Sequence, residues 1–173
     1  ASQIEPLLSG GTGSVSHTEE VPSFLPDRFE PGTPNIPGIL GLHAALCDLE
    51  QTDMGKLHQH ELELTQYFIN GLMQMDPSES TLRAIGKHNT IERTSVVSVQ
   101  TLQTDMARVA YEMDDTYGIM TRVGLHCAPS AHKTLGTYPE GTIRFSFGPE
   151  NTHHEVDLAL HALAEITGSP YHL

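Results

Sequence analysis

A single cysteine is the strongest candidate for chemistry in this sequence. Cys127 lies in the segment Arg122-Val123-Gly124-Leu125-His126-Cys127-Ala128-Pro129, after a predicted strand and before a turn limited by proline. Loops that follow strands often display reactive groups, and a neighbouring imidazolium or Arg122 would favour the reactive thiolate. The alternative is a buried structural cysteine. Cys47, inside a predicted helix, is expected to be ordinary packing.

Arg144 is the second candidate, because an arginine in the middle of a strand is unusual unless its face of the strand lines a cleft. It lies in the middle of the predicted strand 142–147, and Ser146 shares its face of that strand. A guanidinium matches a carboxylate bidentately, so a substrate carboxylate is one natural partner. A structural ion pair with one of the many acidic residues is the other.

Neither the histidines nor the glycines define a site by themselves. The eleven histidines show none of the spacings of paired CxxC or HExxH zinc motifs, so no metal site is predicted. Gly10-Gly11-Thr12-Gly13-Ser14 could hold a phosphate with backbone amides. It lacks the GK[ST] of a nucleotide-binding P-loop, so the phosphate signal is weak on its own, and a plain flexible loop would explain the segment equally simply.

Composition excludes several classes of function. Nine basic and 22 acidic residues give a formal net charge of −13, which excludes non-specific binding to nucleic acid and disfavours an anionic membrane surface. No apolar run approaches the roughly 20 residues of a spanning helix. Two cysteines cannot form a disulfide framework, which predicts a reducing, cytoplasmic location. The length of 173 residues suits about one domain.

Apolar spacing predicts an α+β small domain that positions these residues. Helices are expected from Pro37, from Asp53 to Asp76, around residues 106–113, and after Thr152, where Thr152 and Glu155 form a capping box. Strands are expected at 82–85, 95–99, 119–123 and 142–147. Residues 1–38 are rich in Gly, Ser, Thr and Pro, which indicates either a tail or loops packed against something larger.

Three motifs together resemble one family. Arg28-Phe29-Glu30-Pro31-Gly32-Thr33-Pro34-Asn35 is similar to the R-F-E-x-G-T-P-N segment of class V pyridoxal-phosphate enzymes. The Cys127 loop resembles the R-x-G-x-H-C-A loop of the cysteine desulfurase and selenocysteine lyase branch. Arg144-Phe145-Ser146 followed by Asn151-Thr152-His153-His154-Glu155-Val156-Asp157 resembles the ending R-x-S…N-T-x-E-E-[VI]-D.

The resemblance implies a fold, a cofactor and residue roles. The fold would be the C-terminal part of the fold-type I pyridoxal-phosphate transferase fold, of the α/β class. Cys127 would take sulfur from L-cysteine as a persulfide, for later transfer to an acceptor protein, and Arg144 would hold the substrate α-carboxylate. Thr33, with Gly32, would bind the phosphate of pyridoxal 5'-phosphate across a homodimer interface, and Thr12 would assist.

Leu125 stands where better-known desulfurases often have a second histidine, which leaves sulfur and selenium substrates both open. Another class V aminotransferase is an alternative that would not need Cys127. A non-enzymatic thiol or metal module using His126, Cys127 and His132 is a further alternative.

The resemblance also implies a missing half. The cofactor lysine should precede the Thr33 segment, yet the three lysines, Lys56, Lys87 and Lys133, all follow it. We therefore expect a C-terminal fragment that is inactive alone, with residues 1–50 closing the large cofactor domain and residues 51–173 forming the small domain.

Overall fold

The first unit of the chain is rich in loops. The computed structural model describes residues 3–171 and divides the chain into two compact units between Thr52 and Asp53. The first unit contains a short 3-10 helix, Asp27–Phe29, and helix α1, Ile36–Gln51. The Gly32 N–H donates to the Gly11 carbonyl at 2.8 Å, which ties the glycine-rich loop to the segment before α1. The assignment of residues 1–50 to a large domain stays a prediction.

Helix α1 carries an uncovered apolar face. The Asn35 side chain caps it by accepting from the Gly38 N–H at 3.1 Å, and a proline occupies its first turn, where no N–H is needed. No residue of α1 is buried. Ile39, Leu42 and Leu46 are 56%, 62% and 51% exposed. The predicted stripe is therefore present, but nothing in the described part of the chain covers it.

The second unit is a two-layer α/β structure built on one sheet. Its helices are α2, Met54–Met75, α3, Met106–Tyr117, α4, Pro129–Leu135, and α5, His153–Thr167. Its strands are β1, Leu82–Ile85, β2, Val96–Thr101, β3, Arg122–Gly124, and β4, Thr142–Ser146. The sheet order is β1-β2-β4-β3, and all three pairings are antiparallel.

One face of this sheet forms the core, and the other face is left for polar residues. Helix α5 packs on α2 and α3, and α2 and α3 contact the strands. Apolar strand residues point toward them because side chains alternate along a strand. The fully buried residues at this interface include Phe68, Val97, Val99, Ile143 and Leu160. The opposite face carries Ser98, Arg122, Thr142 and Arg144 by the same alternation and register.

Two predicted elements differ from the structure. The strand expected over 119–123 is shorter, because the Ile119 N–H donates to the Met113 carbonyl at 2.8 Å and closes α3 instead of pairing. The turn expected after Cys127 is helix α4, with Pro129 in its first turn. Within residues 3–171, no helix has an apolar stretch of the length that a membrane crossing requires.

Candidate active site

The Cys127 loop has a strained backbone. His126 and Cys127 have φ angles of +49° and +57°, in the left-handed region that non-glycine residues rarely adopt. A tight turn holds them, in which the Ala128 N–H donates to the Leu125 carbonyl at 2.8 Å. Cys127 is free and exposed, so the alternative of a buried structural cysteine is wrong. Strain of this kind persists where the surrounding structure fixes a loop, and it concentrates at functional sites.

His126 fastens the loop to the sheet. Its Nε2 lies 3.1 Å from the Thr142 carbonyl oxygen and 3.3 Å from Thr142 Oγ1. Because a carbonyl can only accept, Nε2 carries the proton and Nδ1 of the neutral ring is an acceptor. Nδ1 is buried and has no partner among the described residues. Burial lowers the pKa of His126, and the charges of Arg144, His132 and Arg122 lower it further, so the ring stays neutral.

Helix α4 supports the loop from its other end. His132 is buried, and its Nδ1 lies 2.7 Å from the Thr137 hydroxyl. The Thr137 carbonyl accepts from the Gly141 N–H at 2.7 Å, which connects α4 to the start of β4. The His126 and His132 rings are 5.8 Å apart. Sequence reasoning missed α4, although proline at its start and the left-handed Gly136 at its end are the usual signals of a helix.

Arg144 lies in the centre of the polar face. Its Cα pairs with Ser98 on β2 and with Arg122 on β3, so the three side chains form a row across three strands. Arg144 is half-buried, and its Nε is buried without a hydrogen-bond partner. No acidic residue in the described chain forms an ion pair with it, so the structural ion-pair interpretation lacks a partner. The role of Arg144 in carboxylate binding stays a prediction.

The predicted phosphate ligands lie in the first unit, and they fit a phosphate unequally. Thr33 is exposed and follows Gly32, whose φ of +82° allows a sharp turn. These are donors of the kind a phosphate needs. Thr12 is a poorer fit, because its Oγ1 bonds Ser14 Oγ at 2.9 Å. The depression that Thr12 lines also contains Glu19 and Glu20, which would repel a phosphate.

Each of the three lysines has a contact of its own outside any cofactor site. Lys56 pairs with Asp53 at 3.8 Å, and Lys87 pairs with Glu92 at 2.9 Å. The Lys133 ammonium lies 5.1 Å from the centre of the Tyr138 ring. Across residues 3–171, no three His, Cys, Asp or Glu side chains converge as metal ligands would.

Comparison with known proteins shows the family to which the chain is similar. The chain matches the family model Aminotransferase class-V over residues 1–159. The protein named "Probable cysteine desulfurase" in Methanothermobacter thermautotrophicus is 31% identical over 169 residues, covering 96% of this chain and 41% of that protein. The chain thus spans about two fifths of the length of this curated relative.

Two solved structures of cysteine desulfurases have a fold similar to that of this chain. The apo cysteine desulfurase of Thermococcus onnurineus superposes with a TM-score of 0.72 at 33% identity, covering 94% of this chain and 39% of that one. The cysteine desulfurase CsdA of Escherichia coli gives a TM-score of 0.64 at 26% identity, covering 94% of this chain and 39% of that one. These likenesses confirm the predicted α/β fold class. Since the family match covers most of the sequence, the chain belongs to the aminotransferase class V family.

Proposed function

We propose that this chain is part of a pyridoxal-phosphate-dependent cysteine desulfurase, which converts L-cysteine to L-alanine and leaves the sulfur as a persulfide on Cys127. The observation that carries the proposal is an exposed thiol in a strained loop, fastened by His126 to the sheet face that displays Arg144. The relatives named cysteine desulfurase support it.

Arg144 would bind and orient the substrate. Its guanidinium has no ion-pair partner among the described residues, and its Nε is buried, so a substrate carboxylate would satisfy a donor that is otherwise unpaired. A buried donor without a partner costs free energy, and this cost favours binding of an anion. Ser98 lies next to Arg144 on the same face and offers a hydroxyl to the same ligand.

Cys127 would take the sulfur atom. Its Sγ, as the thiolate, would bond to the sulfur of L-cysteine while the Cβ–S bond of the substrate breaks. The electron pair of that bond stays on the carbon fragment, which takes up a proton and leaves as alanine. The thiol is oxidised to the persulfide, and the substrate carbon is reduced by the same two electrons. His126 would act as a positioning residue, because its bond to Thr142 fixes the loop.

Thr33 and Gly32 would hold the cofactor phosphate. In a homodimer, these two residues of one subunit would bind the cofactor of the neighbouring subunit. When bound, pyridoxal phosphate supplies an electron sink for the carbanion at Cα of the amino acid. Thr12 contributes less, given the two neighbouring carboxylates. We assign the cofactor lysine to a part of the enzyme outside these 173 residues, because Lys56, Lys87 and Lys133 all follow the Thr33 motif. The chain alone would then be inactive.

The assembly and location follow from the same proposal. The exposed apolar face of α1 would be covered by the rest of the enzyme. Both cysteines of the chain are free, and free thiols are typical of a reducing compartment, so we assign the protein to the cytoplasm.

The test uses the complete enzyme, with the chain joined to the segment that carries the lysine. Alanine and sulfide formed from L-cysteine are measured in the presence of a thiol reductant. We expect Cys127→Ser to abolish both products and Cys47→Ser, the matched control, to leave them unchanged. Equal production of alanine by Cys127→Ser and the native enzyme would contradict the persulfide step and favour another class V activity.

A further inference from the structure

One buried histidine has no role in the proposed reaction. His132 is 6% exposed, and among the residues of α4, all of which the structure describes, it is the only buried one. The apolar Leu135 at the end of the same helix is 53% exposed. Burying an imidazole costs free energy that burying a leucine would not cost, unless the polar atoms of the ring find partners. A histidine at the inward position of α4 therefore indicates specific contacts rather than packing alone.

Two hydrogen bonds to Thr137 fix one side of His132. Its Nδ1 lies 2.7 Å from the Thr137 hydroxyl, and its carbonyl accepts from the Thr137 N–H at 2.9 Å. Thr137 is fully buried and is itself attached to the start of β4, because its carbonyl accepts from the Gly141 N–H at 2.7 Å. The Gln100 side chain of β2 donates to the Gly141 carbonyl at 3.2 Å. His132 is therefore anchored to the sheet through buried polar contacts.

His132 also contacts the residues on both sides of Cys127. Its N–H donates to the carbonyl of Ala128, the residue after Cys127, at 3.2 Å. Its ring centre lies 5.8 Å from the ring centre of His126, the residue before Cys127, and the ring planes are inclined at 44°. This separation is within the roughly 4.5–7 Å at which aromatic rings pack. His132 thus contacts both neighbours of Cys127, whose own side chain stays exposed.

The conformation of the loop depends on contacts of this kind. His126 and Cys127 both have positive φ, which a loop free to relax would leave. One hydrogen bond holds the His126 ring, from Nε2 to the Thr142 carbonyl at 3.1 Å. Its Nδ1 has no partner among the described residues, so this bond alone leaves the ring free to rotate about it. The packed ring of His132 supplies a second contact that restricts this rotation.

We propose that His132 is a positioning residue for Cys127. Acting through His126 and Ala128, it holds the turn in the strained conformation that presents the thiol to the substrate. His132 touches neither the substrate nor the reacting sulfur in this role, and the role requires no metal. The inference rests on the proposed function in that Cys127 is taken as the residue that accepts the sulfur.

Hydrogen exchange in the 173-residue chain, followed by NMR, tests the role of His132 without cofactor or substrate. The Ala128 amide, which donates to the Leu125 carbonyl at 2.8 Å, reports on the turn, and the Phe68 amide in α2 reports on the core. His132→Leu keeps a side chain that can be buried but removes the imidazole ring and its bond. We expect exchange at Ala128 to become about tenfold faster and exchange at Phe68 to stay unchanged.

Two further variants complete the comparison. His132→Asn retains an N–H group that can bond to the Thr137 hydroxyl, so its exchange rate at Ala128 should lie between those of the native chain and His132→Leu. Thr134→Ala changes an exposed residue of α4, is the matched control, and should exchange like the native chain. Native exchange at Ala128 in His132→Leu overturns the inference. Equally accelerated exchange at Ala128 and Phe68 also overturns it, because His132 would then stabilise the whole fold. If His132→Leu does not fold, His132→Asn is measured at the same two amides.

Kinetics of the complete enzyme separate this inference from the proposed function. His132→Leu should lower kcat for alanine formation about tenfold and leave KM for L-cysteine unchanged, because Cys127 acts only after the substrate has bound. An unchanged kcat in His132→Leu, together with loss of activity in Cys127→Ser, overturns the inference and leaves the proposed function intact. Faster exchange confined to Ala128, together with full alanine production by Cys127→Ser, supports the hold of His132 on the loop and refutes the persulfide step.

Discussion

Gly141 packs directly against the backbone of Gly124, so closely that a β-carbon at position 141 would overlap the Gly124 carbonyl group. Gly124 ends β3 and leads into the Cys127 loop, and Gly141 precedes β4. Gly141 also has a φ of +81°, which disfavours any side chain. The contact therefore sets the distance between the strand that leads to Cys127 and the strand that carries Arg144.

Replacing Gly141 should disturb both stability and the loop. Gly141→Ala combines left-handed strain with overlap against backbone, and we expect a loss of roughly 3 kcal/mol in the free energy of unfolding. Gly136→Ala is the matched control, since its φ is +69° but no atom lies within 4 Å of its added β-carbon. It should cost roughly 1 kcal/mol. Urea denaturation measures both, and equal losses would mean that the Gly124 contact is unimportant.

The two thiols should differ in reactivity. Cys127 is exposed, whereas Cys47 is partly covered in α1, with its Sγ 3.8 Å from the His43 ring nitrogens. A disulfide reagent should therefore react with Cys127 about tenfold faster. Cys127→Ser should remove the fast phase of the reaction and Cys47→Ser the slow phase. If Cys47→Ser removes the fast phase, the Cys127 loop is less accessible than its exposure indicates.

Local signals allowed much of the second unit to be predicted from the sequence. The capping box of Thr152 and Glu155 begins α5, with the Thr152 N–H donating to the Glu155 carboxylate at 2.8 Å. The alternation of Ile143, Arg144 and Phe145 predicts which residues of β4 face the core, and both apolar residues are buried. These features depend on spacings of a few residues, which a single sequence displays.

The rest depends on contacts between distant residues. The pairing of Arg122 with Arg144 follows from the register of β3 on β4, which no local pattern specifies. The bond between His126 and Thr142 joins a loop to a strand 16 residues later. Arg122 was visible in the sequence only as a neighbour of Cys127, and its place in the polar row required the sheet.

The neutral state of His126 should make the chain sensitive to acid. Burial, followed by the charges of Arg144, His132 and Arg122, lowers its pKa in the folded state, so the unfolded chain binds the proton more readily. The contribution of His126 to stability is therefore complete above the ordinary histidine pKa of about 6.5 and is lost as the pH falls through the folded value. Urea denaturation at pH 7.5 and pH 5.5 should show a larger loss of stability on acidification in the native chain than in His126→Asn. An equal loss in both would contradict a neutral, half-buried His126.

Removing the carboxylate of Asp76 should destabilise the fold strongly. It ends α2, and its Oδ2 accepts from the N–H groups of Thr81 and Leu82 at 2.6 Å and 3.0 Å, which positions β1. Its Oδ1 accepts from the Ser78 hydroxyl at 2.8 Å. Burial opposes ionisation, but the bonds from Leu82, Thr81 and Ser78 outweigh it and hold the pKa of Asp76 far below its ordinary range.

We expect Asp76→Ala to lower the free energy of unfolding at pH 7 by about 3 kcal/mol, because the donors of Thr81, Leu82 and Ser78 lose a charged acceptor in a partly buried turn. Asp105→Ala is the control. Asp105 caps α3 by accepting one hydrogen bond from the Arg108 N–H at 2.8 Å, so its loss should cost about 1 kcal/mol.

Because the folded pKa of Asp76 is depressed, the contribution of Asp76 to stability is present above the unfolded pKa and disappears as the pH falls toward the folded pKa. The difference in stability between the native chain and Asp76→Ala should therefore shrink below about pH 4. A difference that stays constant down to pH 2.5 would mean that the charge on Asp76 does not stabilise the turn.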